Sequence, residues 1–160
     1  MADQIEIRKA QASDYEAYCS LVSEVDSLHT EKLPWHFQDP GMPPRKREFF
    51  EGLLAAEDKD VFVATLDALP VGYLQMEARN VGGLEILVPT DYAYVADVVV
   101  KKTAQRRGIG SALMRQAEIW AKQRGLNQLR LNVWSFNRSA IEFYEALGMQ
   151  VGSQTMIKRL

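Results

Sequence analysis

The sequence predicts a mixed α+β fold in which one sheet is flanked by helices, with the element order β-α-α-β-β-β-α-β-α-β-β. Three observations support this prediction. Short segments with alternating or continuous apolar residues indicate strands, and longer segments repeat apolar residues at helical spacing. Two of the helices follow strands directly, and no linker, repeat or low-complexity tract interrupts the pattern. One sheet with helices packed against it is therefore the expected arrangement.

The N-terminal third is predicted to contain one strand and two helices. Ile5 and Ile7 alternate with charged residues, which indicates a half-buried strand. Ser13 is expected to cap the first helix, with Glu16 completing a capping box. A proline-rich loop follows, and Pro44 fits the first turn of the second helix.

The middle of the chain is predicted to form a hairpin and a central strand. The segments "DVFVATL" and "PVGYLQMEAR" are joined by a short turn at Asp67 and Ala68, which is typical of a hairpin. The segment "YAYVADVVVK" is too continuously apolar for a surface strand, so it predicts a central one.

The C-terminal part is predicted to contain two helices and three strands. The first of these helices has four residues on its apolar face, Ile109, Leu113, Ala117 and Trp120. Gly125 is expected to end this helix. The segment "QLRLNVW" (128–134) indicates a strand and "NRSAIEFYEALG" (137–148) a helix. The last residues are expected to form a hairpin around Gly152 and Ser153.

Composition limits the classes of function. The formal net charge is −2 over 160 residues, which provides no basic surface for nucleic acid. No segment approaches the roughly 20 apolar residues that span a bilayer, and the N-terminus lacks an apolar signal core, so no membrane association is expected. Cys19 is the single cysteine, which suits a reducing cytoplasm. His29 and His36, with no other ligand cluster, do not predict a metal site.

The segment "AQRRGIGSALM" predicts a phosphate-binding turn. A helix begins with N–H groups that lack an acceptor within the helix, and its dipole places positive charge there. Gly108 and Gly110 leave those groups accessible, and Arg106 and Arg107 add charge. The P-loop pattern does not fit because no lysine follows, and the dinucleotide fingerprint fails because its third glycine would be Leu113. On this segment alone, the alternative that the glycines only permit a tight turn stays open.

The glycine turn and a second motif near the C-terminus form a pair. "QRRGIG" has the form Gln/Arg-x-x-Gly-x-Gly, and "NRSAIEFYEALGM" has the form Asn-x-x-Ala…Tyr…Gly-Phe. The matching residues are Gln105, Gly108, Gly110, Asn137, Ala140, Tyr144 and Gly148, with Met149 in place of the usual aromatic residue. The pair resembles the two signatures of the GNAT superfamily, the acyl-CoA-dependent N-acyltransferases. This resemblance covers Val61 to the C-terminus and implies one N-acetyltransferase domain over residues 1–160, with a mostly antiparallel central sheet.

The resemblance implies a binding site for acetyl-CoA. The pyrophosphate would rest on backbone N–H groups of the glycine turn, which comprises Gln105, Arg106, Arg107, Gly108, Ile109, Gly110 and Ser111. The pantetheine arm would pair like an added strand with the backbone of the fourth strand at Val98, Val99 and Val100. Asn137 would contact that arm, and the N–H of Val98 or Val99 would stabilise the oxyanion.

The resemblance also implies catalytic residues. Tyr144 matches the general acid that protonates the departing thiolate; the alternative is a tyrosine packed in the core. Asp97 lies in an apolar strand, where a carboxylate is costly unless it is paired. It would hold or deprotonate the amine, or else serve as a structural hydrogen-bonding residue. Strand alternation places Asp97 on the face opposite to Tyr94, so only one of the two is expected to line the acceptor side.

The acceptor is expected to bind near the first two helices. Carboxylates and aromatic residues there suit a cationic amine, namely Glu24, Asp26, His29, Glu31, Trp35, His36 and Phe37. Alternatively, these acids are solvated and the aromatic residues close a small cluster. The resemblance thus implies an N-acetyltransferase that acts on a primary amine of a small molecule by direct attack on acetyl-CoA, without a metal. A homodimer is one of the assemblies that stay open. Acetylation of a protein or peptide, or acyl-CoA binding without turnover, stays open.

Overall fold

A computed structural model of the chain describes residues 4–160, which contain five strands and four α-helices. In chain order these elements are β1 (Ile5–Lys9), α1 (Tyr15–Lys32), α2 (Arg47–Ala55), β2 (Lys59–Leu66), β3 (Leu69–Val81), β4 (Thr90–Val100), α3 (Ile109–Gln123), β5 (Leu129–Leu131) and α4 (Arg138–Ala146). Short 3₁₀ turns precede α1 and follow β4. None of these helices combines the length and the apolar character needed to cross a bilayer.

The five strands form a single sheet in the order β1-β2-β3-β4-β5. The first three neighbouring pairs are antiparallel, and β5 is parallel to β4. The predicted hairpin is confirmed: β2 and β3 are joined by Asp67 and Ala68, which both have positive φ angles of 48° and 68°. Two such residues form the tight turn that matches the twist of paired strands. The mixed α+β fold with a mostly antiparallel sheet is therefore confirmed.

The two faces of the sheet are covered by different helices. The face that we call the α3 face is packed mainly with aliphatic side chains, of which Leu74, Met76, Ile109 and Leu113 are almost fully buried. The predicted apolar stripe of α3 lies in this core, and Gly125 follows the helix with φ of 69°. The opposite face, the α1 face, lies under α1 and α2, and its core includes four aromatic side chains, Tyr15, Tyr18, Phe50 and Tyr73.

Two predicted helix starts are wrong. Ser13 lies within a 3₁₀ turn, and the capping contact is made by Asp14, whose carboxylate accepts the Gln11 N–H at 2.8 Å. Asp14 is also paired with Arg8 at 2.8 Å, and this ion pair fixes the entry to α1. Pro44 precedes α2 rather than occupying its first turn, because α2 begins only at Arg47.

The predicted C-terminal hairpin is not formed. Beyond α4, the chain continues to residue 160 without a helix or a strand, and every residue from 150 onward is exposed. The neighbouring strand β5 spans only three residues, whereas the sequence predicts a strand over 128–134. A two-stranded hairpin is marginally stable unless it joins a larger sheet, and such a short edge provides little to pair with.

Candidate active site

The sheet opens where β4 and β5 separate. β5 pairs with β4 only over three residues, and the last pair is Val95 with Leu131. From there β4 continues to Val100 while it stays paired with β3 on its other side. The second half of β4 thus presents a strand edge without a neighbouring strand, next to the start of α3.

A β-bulge in β4 changes which side chains share a face. Consecutive residues Gln75 and Met76 of β3 pair with Asp97 and Val95, so Ala96 is an extra residue in β4. Such an insertion shifts the alternation of side chains by one position. The prediction that Asp97 and Tyr94 face opposite sides is therefore wrong, since both lie on the α1 face.

The backbone of β4 faces the opening at two of the three expected positions. The Lys101 N–H donates to the Val71 carbonyl at 2.7 Å. In an antiparallel ladder the direction of the N–H and C=O groups alternates along each strand. Val99 therefore directs its backbone groups toward β3, whereas Val98 and Val100 direct theirs into the opening. Val99 cannot offer its N–H to a ligand there.

The glycine turn forms a cradle of backbone N–H groups. Arg106 and Gly108 adopt left-handed conformations, with φ of 64° and 80°. The first backbone bond of α3 runs from the Ala112 N–H to the Gly108 carbonyl at 3.0 Å. Because an α-helix leaves its first N–H groups without an internal acceptor, those of Ile109 and Gly110 point out of the helix, together with the N–H of the next residue, Ser111.

The cradle is joined to β4 and to α4. The Gln105 side chain donates to the Val100 carbonyl at 3.2 Å. A Cβ at Gly110 would lie 3.2 Å from the Phe143 ring of α4, whereas a Cβ at Gly108 would meet no atom within 4 Å. Gly110 therefore allows α4 to approach, and Gly108 leaves the space above the turn open. Arg106 and Arg107 are exposed beside it.

Two residues of the second motif, Asn137 and Tyr144, lie at the start of the last helix and within it. Asn137 caps α4, since its Oδ1 accepts the Ala140 N–H at 3.3 Å. Tyr144 is partly buried, and burial together with the charge of Asp97 raises the pKa of its hydroxyl to about 12. The phenol is therefore protonated at neutral pH and is electrostatically linked to the β4 carboxylate.

Asp97 belongs to a hydrogen-bonded group on the α1 face. The Tyr73 hydroxyl donates to Oδ2 of Asp97, and the Tyr73 ring contacts the Tyr18 ring with centroids 5.0 Å apart. Burial raises the pKa of the Asp97 carboxyl, and the hydrogen bond from Tyr73 opposes that shift. Sequence reasoning missed Tyr73, because its place opposite Asp97 depends on the pairing of β3 with β4.

Five aromatic rings form a cluster between the loop after α1 and the segment before α4, and Trp35 contacts this cluster through His36 at 5.4 Å. We call His29, His36, Phe37, Trp134 and Phe136 the aromatic cluster. Within it His29 stacks on Phe37 with centroids 4.8 Å apart, and Phe37 meets Trp134 at 5.5 Å. Sequence reasoning identified the first three residues and missed the other two. The segment "WSF" immediately before Asn137 is the signal that could have indicated them.

The other acidic candidates are engaged elsewhere. Asp26 forms a two-pronged ion pair with Arg45, at 2.9 and 3.1 Å. The Glu24 carboxylate accepts the Lys102 N–H at 2.9 Å, and Glu31 lies 3.4 Å from its neighbour Lys32. Within residues 4–160, no group of three or more His, Cys, Asp or Glu side chains could hold a metal ion.

The sequence of the chain matches the model of a known protein family. Residues 22–149 match the model of the acetyltransferase (GNAT) family, which includes the opening, the glycine turn, the aromatic cluster and Tyr144.

Three curated relatives show different extents of similarity. An uncharacterized N-acetyltransferase of Methanocaldococcus jannaschii is 27% identical over 160 residues, which is 96% of this chain and 65% of that protein. Streptothricin acetyltransferase A of Bacillus subtilis is 38% identical over 89 residues, 55% of this chain and 51% of that protein. Thialysine N-epsilon-acetyltransferase of Bos taurus is 39% identical over 57 residues, 36% of this chain and 34% of that protein. The chain thus spans less than two thirds of the length of each relative.

Solved structures share the fold along the whole chain. The tetramutant of the BH1408 protein of Bacillus halodurans superimposes with a TM-score of 0.92 at 24% identity, covering 97% of this chain and 99% of that one. The aminoglycoside N-acetyltransferase AAC(6')-Iy in complex with CoA has a TM-score of 0.76 at 15% identity, covering 100% and 97%. At these identities the likeness concerns the fold alone.

Proposed function

Because the chain belongs to the acetyltransferase (GNAT) family, we propose that it transfers the acetyl group of acetyl-CoA to a primary amine of a small molecule. One observation carries this proposal. The unpaired edge of β4 extends from Asp97 to the segment that leads into the glycine turn, and Tyr144 packs against the same hydrophobic core as Val98. A ligand that is anionic at one end and amide-rich along its length would therefore reach both Asp97 and Tyr144.

The residues of the cradle suit a pyrophosphate. The N–H groups of Ile109, Gly110 and Ser111 and the dipole of α3 favour an anion. The open space above Gly108 admits a group as large as a phosphate without a collision. Arg106 and Arg107 add positive charge at the rim.

The edge of β4 suits the pantetheine arm. The backbone groups of Val98 and Val100 would bind the amides of the arm as a neighbouring strand would. Asn137 uses its side-chain oxygen to cap α4, which leaves its NH₂ group as the donor available to the same arm.

Three groups of the chain would perform the transfer. Asp97 holds the cationic amine near the thioester. After the amine has lost a proton, its nitrogen attacks the carbonyl carbon, and the Val98 N–H stabilises the oxyanion that forms. When the C–S bond breaks, the Tyr144 hydroxyl gives its proton to the thiolate and regains one from the nitrogen of the new amide. With a pKa of about 12, the Tyr144 hydroxyl is protonated at neutral pH and therefore has a proton to give as the thiolate departs.

A small-molecule acceptor agrees with the names of the relatives. These names describe acetylation of streptothricin, of thialysine and of aminoglycosides. For this chain, the aromatic cluster and Asp97 provide the cation-attracting walls that such an amine needs. A homodimer, a cytoplasmic location and a single domain stay predictions from the sequence.

The Tyr144→Phe variant tests the proposal. We expect kcat to fall by about 100-fold or more, the usual contribution of a positioned acid, while the Kd for acetyl-CoA stays within about twofold. Turnover is measured by free-thiol release with a panel of amines and by product mass, and affinity by calorimetry. Tyr92→Phe, at a distant position on β4 whose ring lies under Arg130, serves as the control.

The outcomes separate the alternatives. Transfer only to peptides would replace the small-molecule acceptor. Binding of CoA without transfer to any amine would favour an acyl-CoA-binding module. No heat on titration with CoA would overturn the proposal as a whole.

A further inference from the structure

His29 occupies a distinctive place on α1. It lies on the same stripe of the helix as Tyr18 and Val22, which are buried against the sheet. At the end of this stripe, its ring stacks on Phe37 at 4.8 Å and meets the edge of Phe136 at 6.0 Å. The imidazole is thereby held between the loop after α1 and the segment before α4.

The charged groups around His29 come from three elements. Asp26 lies one turn earlier on α1 and is paired with Arg45 from the loop before α2. Asp97 on β4 acts on His29 through its charge, and the same carboxylate acts on Tyr144. The charge of Asp97 therefore influences both the imidazole and the phenol.

The electrostatic balance leaves the imidazole uncharged and ready to accept a proton. Burial lowers the pKa of His29, and the carboxylates Asp97 and Asp26 oppose this shift. The lowered pKa keeps the imidazole unprotonated at pH 7, so its ring nitrogen can take a proton, and the two carboxylates stabilise the imidazolium that then forms.

We propose that His29 is the base that removes the proton from the acceptor's ammonium group, and that the acceptor is a small cationic amine held between the aromatic cluster and Asp97. This inference rests on the proposed function. It assigns to His29 a step for which the transfer mechanism otherwise lacks a group.

The proton transfers balance as follows. The ammonium R–NH₃⁺ gives one proton to His29 and becomes the neutral amine, whose lone pair forms the new C–N bond. The C–S bond breaks, and the thiolate takes the Tyr144 proton. Tyr144 regains a proton from the amide nitrogen, and the His29 imidazolium releases its proton to water. One proton is released for each acetyl group transferred, as the net reaction requires.

The decisive experiment compares two acceptors in the His29→Gln variant. Glutamine keeps polar character at this position but cannot accept a proton near neutral pH. With a cationic alkylamine we expect kcat/KM at pH 7 to fall by about 100-fold, and the loss to shrink as the pH rises toward the pKa of the amine. With an aniline or a hydrazide, which is already uncharged at pH 7, we expect a loss of less than about threefold.

His36→Gln is the comparison variant. His36 belongs to the same aromatic cluster but is exposed, so we expect a change in KM while the pH profile and the dependence on acceptor basicity follow those of the wild type. The Kd for CoA, measured by calorimetry, is expected to stay unchanged in both variants, which verifies that they are folded.

The results distinguish a failure of the proposed function from a failure of the role assigned to His29. If the wild type transfers acetyl groups but His29→Gln loses the same factor with the alkylamine and the aniline, His29 is not the base and the proposed function stands. If the wild type acetylates no amine, the proposed function fails and the role of His29 fails with it. The chain has two histidines, so proton NMR also gives the His29 pKa directly, and a value above about 8 would contradict a neutral base, because the imidazole would then be charged at pH 7.

Discussion

The two faces of the sheet are built for different purposes. On the α3 face, aliphatic side chains such as Leu74 and Leu113 are almost fully excluded from solvent, and the carboxylate at its rim, Asp60, is fully satisfied by donors. On the α1 face, Tyr73 donates to Asp97 and packs against Tyr18, and burial raises the pKa values of these three groups. The first face contributes stability, whereas the second contains a charge that is costly to bury.

This difference indicates that the α1 face keeps a buried carboxylate that lowers the stability of the fold and is available for chemistry. A carboxylate with a raised pKa destabilises the folded state whenever it is ionised, and such groups are common at active sites. The contrast predicts that substitutions of the buried aliphatic residues of the α3 face, such as Leu113, change stability and leave catalysis intact. Substitutions at Asp97 should do the reverse.

The largest effect on stability is expected for Leu113→Ala. The side chain is fully buried, so its truncation should lower the free energy of unfolding by about 3 kcal/mol, as measured by urea denaturation. The kcat of the folded enzyme should change less than about twofold. Leu69→Ala, at an exposed leucine, is the matched control, and a loss of kcat in Leu113→Ala without a loss of stability would contradict the division of the two faces.

Asp97→Asn is expected to have opposite effects on activity and stability. Acetyl transfer should fall by about 100-fold because the amine loses its counter-charge. The free energy of unfolding at pH 7 should rise, because the amide carries no charge to bury and its oxygen still accepts the Tyr73 hydroxyl. Since the folded pKa is raised, this gain should disappear as the pH falls toward about 3.9. Asp91→Asn, at an exposed position on the same strand, should show neither change.

Asp60→Asn should give a smaller stability change of the opposite sign. Burial by itself would raise the pKa of Asp60, but hydrogen bonds from Lys9, Trp120 and Arg124 outweigh burial, so the pKa is lowered. The variant should therefore lose about 1 kcal/mol at pH 7, and the difference from wild type should vanish as the pH falls below about 3.9 through the lowered pKa. Urea midpoints between pH 3 and pH 8 would check this, with the exposed Asp58→Asn as control. Parallel curves for the Asp60 and Asp97 variants would refute the contrast.

Local sequence patterns were sufficient for most of the fold. The turn at Asp67 and Ala68, the stripe of α3 and the glycine turn each depend on residues close in sequence, so periodicity and turn chemistry identified them. The C-terminal hairpin failed because strand formation there depends on a partner edge, and β5 is too short to supply one.

The candidate site was only partly predictable, because part of it depends on strand pairing and on contacts between distant segments. The motif residues of the glycine turn and Tyr144 lie together, but the bulge at Ala96 reverses the alternation that placed Asp97 opposite to Tyr94. The contact between Phe37 and Trp134 joins segments far apart in sequence, and no local pattern contains such information.

The open edge of β4 has a consequence for the handling of the protein. Exposed strand edges are templates for aggregation, and this one is kept free by the early end of β5. A ligand bound along it would take the place of the missing strand, and at about 100 times its dissociation constant it would add about 2.7 kcal/mol to the folded state. Under the proposed function, the cellular supply of acetyl-CoA would thus also act as protection against precipitation.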